Sequence, residues 1–151
     1  MKHQINNLRD YAELAQASYF YFDLLKDSNG NRRKIYELDS GGKKIKDKNY
    51  LRGYREIQLN LEHIVSKKNQ GQEVLANLEQ GNDIFTTMAN KTMDFFNSDK
   101  LNGEFGVLQA KHFFEKYELL LHQPNTETGF SATLFQNKAT KEFIFAIRGT
   151  E

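Results

Sequence analysis

An α+β fold is what this sequence predicts, with a mostly helical N-terminal region over residues 1–125 packed on a C-terminal β-hairpin at 126–151. Three observations predict it. Apolar residues recur at helical spacing through much of the first 121 positions. A basic stretch without apolar periodicity interrupts them at about 27–55. Two short runs of aromatic and β-branched residues, 130–135 and 143–147, then close the chain around a polar connection.

The first helix is expected from about Leu8 to Leu25. Asn7 is placed to cap it, and Asp10 stands three residues on, near the positive end of the helix dipole. Leu8, Tyr11, Ala15, Ser18 or Tyr19, Phe22 and Leu25 form one stripe, which reads as core rather than as a lipid or cofactor contact. Asp27-Ser-Asn-Gly30 is a cluster of turn formers that ends the pattern.

Between Lys26 and Arg55 there are ten basic residues against four acidic ones, an excess of six positive charges. One reading is a patch for anionic lipid headgroups or another acidic partner, with Tyr36, Tyr50 and Tyr54 among the charges. Gly41-Gly42 and the missing periodicity favour the plainer reading, a solvated loop, with a short hairpin pairing Lys34–Leu38 with Lys43–Lys46. From 53 to 121 three helical pieces are expected. Ile57, Leu61 and Ile64 or Val65 mark the first, continued by Val74, Leu75 and Leu78. Ile84, Phe85, Met88 and Phe95 or Phe96 mark the second. Val107, Ala110, Phe114, Tyr117 and Leu121, widened by Phe113 and Leu120, mark the third, a stripe broad enough to pack on a sheet. His112 reads as a core-edge histidine. His63 and Glu62 are adjacent, so they share no helix face and do not imitate a zinc-binding pair.

The C-terminal hairpin carries the functional signal. In the second strand Phe143, Phe145 and Ile147 point one way, while Ile144 and Ala146 point the other, so neither face is polar enough for water. Such a strand is expected inside a sheet covered on both sides. It runs into Phe145-Ala-Ile-Arg-Gly-Thr-Glu151, and it is preceded by Tyr117-Glu-Leu-Leu-Leu-His-Gln-Pro-Asn-Thr-Glu-Thr-Gly129 and by an N-terminal pattern Tyr11-Ala12-x-Leu14-Ala15-x-x-Ser18-Tyr19. Together these resemble the opening helix and early core strands of the lipase class 3 family of α/β-hydrolases, in which an apolar strand ends in Arg-Gly-Thr or Arg-Gly-Ser. The stretch between about 27 and 100 carries no resemblance.

The resemblance implies an incomplete α/β-hydrolase fold whose Arg-Gly-Thr corner belongs to the oxyanion hole. Fixed donors aimed at the developing oxyanion of an ester lower the barrier by roughly 3–4 kcal/mol each. By resemblance Thr150 supplies one from its backbone N–H, aided by its hydroxyl, and Gly149 is the residue able to take unusual backbone angles at that turn. Arg148 either pairs with a carboxylate or reaches solvent. Without the likeness, the three residues are an ordinary strand-ending turn.

The nucleophile is missing from these residues. A Gly-x-Ser-x-Gly elbow followed by an acid and a histidine is what such a hydrolase needs. The nearest imitation, Gly129-Phe-Ser131-Ala-Thr133, lacks the second glycine and lies within a strand, and His3, His63, His112 and His122 all precede or sit outside the required order. The 151 residues alone are therefore expected to be inactive.

Composition bounds the remainder. A formal charge of +1 offers no global field for nucleic acid, and zero cysteines exclude disulfides, thiolate metal sites and cysteine nucleophiles. No spacing favours a metal, and no glycine loop cradles a phosphate, so neither metal nor cofactor is expected. The mean hydropathy of −0.72, the lack of an 18-residue apolar run and a polar N-terminus argue against a transmembrane segment or signal peptide. That leaves cytoplasmic location or export by a signal-independent route. Two functions from different classes are consistent with this. The first is the N-terminal part of a lipase-like or phospholipase-like serine hydrolase acting on a lipid or other ester. The second is a non-catalytic helical interaction module. In either, strand 143–147 offers a route to self-association if nothing covers it.

Overall fold

The computed structural model describes residues 2–77 and 99–149, and in it helices mix with two small antiparallel sheets. In chain order these are α1 (Lys2–Ala17), β1 (Lys34–Tyr36), β2 (Glu56–Gln58), α2 (Leu61–Val65), α3 (Val107–Lys116), β3 (Tyr117–Gln123), β4 (Ser131–Asn137) and β5 (Phe143–Arg148). The expected α+β class is present at this level. The stripe expected at Ile84, Phe85, Met88 and Phe95 or Phe96 lies outside the described residues, as does Leu78.

The first helix begins earlier and ends sooner than its pattern implied. It stops at Ala17, where the Ser18 hydroxyl donates to the Ala15 carbonyl at 2.6 Å and offers the backbone a local alternative to another helical turn. Asn7 lies inside the helix rather than capping it. The buried face is also different: Leu14 and Ala17 pack inward, whereas Leu8, Tyr11 and Ala15 of the expected stripe are exposed. After the helix the aromatic run alternates, with Phe20 and Phe22 buried and Tyr19 and Tyr21 partly in solvent. Each tyrosine keeps its hydroxyl wet while the phenylalanines fill the core. A single 3-10 turn, Phe22–Leu25, completes this segment.

The basic segment is solvated as expected, with only Ile35 of 26–55 buried, but it is organised into turns and short bridges rather than an irregular loop. Three aspartates each start a tight turn by the same chemistry. The Asp27 carboxylate accepts from the backbone N–H groups of Asn29 and Asn31, both at 2.9 Å. Asp39 accepts from Gly41 at 2.8 Å and Lys43 at 2.9 Å, and Asp47 accepts from Asn49 at 3.0 Å. Gly30, Gly42 and Gly53 take positive φ near the far side of each turn, where a side chain would be strained. The short hairpin expected between 34–38 and 43–46 exists as a bridge between Leu38 and Lys44. Lys44 lies over the Tyr36 ring at 4.3 Å, and Arg55 faces Glu37 and Asp47, each at 3.7 Å. Arg33 and Arg52 also pair with acids beyond the segment, Asp99 and Glu56, so part of the basic excess is spent within the fold.

Residues 57–65 anchor this layer to the core. Ile35, Leu59, Ile64 and Val65 are fully buried, each worth about 1.5–3 kcal/mol of transfer free energy. The helix α2 is only five residues long and is closed by a reciprocal cap. The Asn60 side chain accepts from the His63 N–H at 2.8 Å, while the Asn60 N–H donates to His63 Nδ1 at 3.2 Å. Burial holds the His63 pKa below its ordinary value of 6.5, because the charged ring loses hydration and Nδ1 must stay unprotonated to accept. The folded state therefore binds fewer protons than the unfolded chain. The stability this histidine contributes is full above pH 6.5 and falls as pH drops toward its folded value. Urea midpoints measured from pH 7.5 to pH 5, values chosen about one unit or more either side of an ordinary histidine pKa, should fall less in His63→Gln than in the parent. Parallel curves would remove His63 from the acid response.

Val74 and Leu75 are buried but extended, pairing with Asp99 and Lys34 through backbone hydrogen bonds of 2.8 Å, so the expected helix there is absent. Arg33 ties the same strip, donating to the carbonyls of Leu75 and Val74 and pairing with Asp99 at 3.0 Å. The third expected helix is shorter than its stripe. It ends at Lys116, and Tyr117–Gln123 continues as β3, which pairs with β4 and carries a bulge between Leu119 and Leu121. Helix α3 packs on the sheet as its face implied, through Phe113 against Phe135 at a centroid distance of 5.5 Å. His112 is exposed rather than at the core edge, because Phe113 takes the inward position.

The C-terminal sheet has the order β3-β4-β5, all antiparallel. The expected hairpin is its second half, closed by the Asn137 side chain, which accepts from Ala139 at 3.0 Å and Thr140 at 3.2 Å, with Lys141 at φ 63°. Among the described residues β5 is an edge strand covered on one face only. Ile144 and Ala146 pack on the core, whereas Phe143, Phe145 and Ile147 are 64%, 59% and 58% exposed. No described helix is long and apolar enough to cross a membrane.

Candidate functional site

A cleft of about 440 Å³ opens where the 3-10 turn, the strip at 99–100 and the ends of β3, β4 and β5 converge. Its lining is mixed, with Phe20, Leu24 and Pro124 apolar and Asp23, Lys100 and Arg148 charged. The volume lies within the roughly 300–1,000 Å³ of small-molecule sites. The last residue of β5, Arg148, reaches this cleft, and its guanidinium lies over the Tyr19 ring at 5.1 Å. Among the described residues that ring, rather than a carboxylate, is what Arg148 meets.

Gly149 follows at once and is exposed, with no atom within 4 Å of where a Cβ would stand. Its φ is outside the left-handed region. What the missing side chain provides is open space at the end of the strand. Thr150 lies outside the described residues.

Residues that sequence reasoning passed over are gathered in the same cleft. His122 comes from β3 and is 8% exposed at its side chain, wedged edge-on against Phe22 at 5.5 Å. Its Nδ1 lies 2.9 Å from the Thr133 hydroxyl, the residue directly across the ladder on β4. Its Nε2 lies 3.5 Å from the Asp23 carboxylate, which is 43% exposed. The Asp23 pKa is lowered from 3.8, chiefly by the hydrogen bond with His122, against a smaller opposing effect of burial. Asp23 therefore carries its charge throughout the neutral range.

This histidine, acid and hydroxyl do not make a nucleophilic triad. Thr133, on the central strand β4, is fully buried, so no substrate carbon reaches its oxygen. Ser131 is also buried, and its hydroxyl donates to the Gln123 carbonyl at 2.9 Å. That agrees with its location in a strand rather than at an elbow. What the arrangement does is fix the imidazole in one orientation on the cleft wall, with a carboxylate toward the opening. Among the described residues no group of three or more histidine, aspartate or glutamate side chains is placed to hold a metal ion.

Asp23 and His122 could not be paired from the sequence, since they belong to distant segments and neither lies in a recognisable motif. The only local hint was the alternation from Tyr19 to Leu24, which places Asp23 on the wet side together with Tyr19 and Tyr21. Comparison with family models, with curated proteins and with solved structures finds no match.

Proposed function

We propose that this chain forms the N-terminal part of a lipase-like or phospholipase-like serine hydrolase, with the turn after β5 contributing to the oxyanion hole. One conjunction supports the reading. An apolar strand that pairs on one side only among the described residues ends at Arg148, with Gly149 next, at the mouth of a cleft of about 440 Å³. In a hydrolase sheet the other side receives a further strand, which carries the nucleophilic serine on the turn after it. The new strand's covering helix would bury Phe143, Phe145 and Ile147. Thr150 would then offer its backbone N–H, and its hydroxyl, to the ester oxygen as negative charge builds there.

The 151 residues alone should hydrolyse no p-nitrophenyl ester above the buffer rate. The test is to express the gene's reading frame as it continues past the Glu151 codon and treat the product with a fluorophosphonate. Labelling at a serine within Gly-x-Ser-x-Gly is expected. Thr150→Val should then lower kcat by about tenfold or more while KM changes little. A product that the reagent leaves unlabelled, or a frame without that motif, defeats the reading.

The exposed apolar row of β5 favours a second reading, a non-catalytic module that pairs this edge with another chain. Light scattering separates the two in the continued product. A monomer whose β5 amides resist hydrogen exchange points to an internal strand. A dimer that dissociates on Phe145→Lys points to a module.

A further inference from the structure

The cleft wall holds two cations that nothing in the described chain neutralises. Lys100 is exposed and its side chain makes no ion pair or hydrogen bond among the described residues. Arg148 only stacks over Tyr19, which leaves its guanidinium N–H groups free to donate. The Asn125 amide and the Tyr21 hydroxyl line the same space and likewise have no partner there.

Both carboxylates on the cleft are engaged, by contrast. Asp99 is paired with Arg33 at 3.0 Å, and Asp23 faces His122 Nε2 at 3.5 Å. With Asp99 paired to Arg33 behind the wall, Lys100 and Arg148 stand against the one carboxylate of Asp23. The charged groups left without an ion-pair partner among the described residues, Lys100 and Arg148, are donors only, so the ligand they suit brings acceptors and negative charge. A carboxylate supplies two oxygens. Lys100, Arg148, Asn125 and Tyr21 together offer more donors than two oxygens accept, and the arginine fork matches a phosphate through two parallel bonds. The apolar lining of Phe20, Leu24 and Pro124 leaves room for the organic part of the ligand.

We propose that this cleft binds the phosphate group of a phosphate ester, held by Arg148 and Lys100, with the ester's organic portion lying on Phe20, Leu24 and Pro124. The inference rests on the cleft itself and stands independently of the hydrolase reading. Where both hold, the substrate class narrows from esters in general to phosphate-bearing ones.

The experiment is calorimetric titration of the 151-residue chain with sn-glycerol 3-phosphate, with glycerol as the uncharged control, beside sedimentation with phosphatidylglycerol vesicles. The parent is expected to bind the phosphate ester and not glycerol. Lys100→Gln with Arg148→Gln should weaken binding at least about tenfold, the loss of two charged contacts. Lys100→Gln alone, at an exposed side chain, should show part of that loss and guards against a folding defect in the pair. Sedimentation that the double variant loses, and that soluble glycerol 3-phosphate competes away, assigns the phosphate to a lipid headgroup. Binding of the soluble ester without such sedimentation assigns it to a free metabolite. The proposal is overturned if the parent binds neither, if glycerol binds as well as its phosphate, or if the double variant binds both probes as the parent does. None of these readouts requires ester hydrolysis, so a failure here leaves the hydrolase reading untouched, and the reverse.

Discussion

Gly103→Ala is expected to destabilise the protein by more than about 3 kcal/mol, a large share of the roughly 5–15 kcal/mol that holds a domain folded. A β-carbon on Gly103 would stand 2.4 Å from the Val65 carbonyl carbon, 2.5 Å from the Ile64 oxygen and 2.6 Å from the Ser66 nitrogen. All three are backbone atoms at the end of α2, so no side chain can rotate aside. Relief requires separating the two segments, and that breaks what joins them. The Phe105 N–H donates to the Val65 carbonyl at 2.8 Å, and the Lys67 N–H donates to the Phe105 carbonyl at 2.7 Å. Phe105 is itself fully buried, 5.1 Å from Phe20 and 5.4 Å from Phe113 between ring centroids. A shift of the glycine therefore propagates into the aromatic core. Urea denaturation followed by far-UV circular dichroism measures the loss. A midpoint within error of the parent would mean that 103 and 65 are not in contact in solution.

Phe113→Ala should cost about 3–5 kcal/mol, the range for deleting a buried phenylalanine and leaving its cavity. Phe113 is the hub of the aromatic cluster. Its ring lies edge to face against Phe114 at 5.1 Å and Phe135 at 5.5 Å, and tilted against Tyr117 at 5.1 Å and Phe105 at 5.4 Å. Edge-to-face pairs add about 0.5–1.5 kcal/mol beyond area burial. The hub joins α3 to the sheet on one side and to the Phe20 segment on the other, so its loss should also loosen the cleft wall. Phe113→Leu, which keeps most of the volume, should recover more than half of the loss. Equal destabilisation by leucine and alanine would show that ring geometry, rather than filled volume, governs this site.

The hairpin was legible because Phe130–Phe135 and Phe143–Ile147 combine strand-forming residues with a polar connection, and both signals are local. The helix α3 was legible to Lys116 for the same reason. Beyond it, Tyr117 and Leu121 satisfied helical spacing, while Tyr117 and Leu119 equally satisfy a strand's alternation, with Leu120 taken up by the bulge. Pairing with β4 decided between them, and no feature of 117–123 announces that partner. In the basic segment the turn at Asp27-Ser-Asn-Gly30 was legible, but attention to charge and missing periodicity hid the Asp-led turns at 39 and 47. Their chemistry was in plain view.

In α1 the residues fixed an amphipathic helix but not which of its faces would be covered. Leu8 and Tyr11 made as good a stripe as Leu14 and Ala17, and only the position of the core chose the second pair. The same holds at β5, whose apolar character follows from its residues while its exposed face follows from its neighbours. Local torsional preference, turn hydrogen bonding and strand alternation are properties of a few adjacent residues, so the chain alone settled them. Burial, and the meeting of Asp23, Lys100, His122 and Arg148 around one cleft, are relations between segments far apart in sequence. Those had to await the packing of the aromatic core, because only burial of its rings fixes how distant segments face one another.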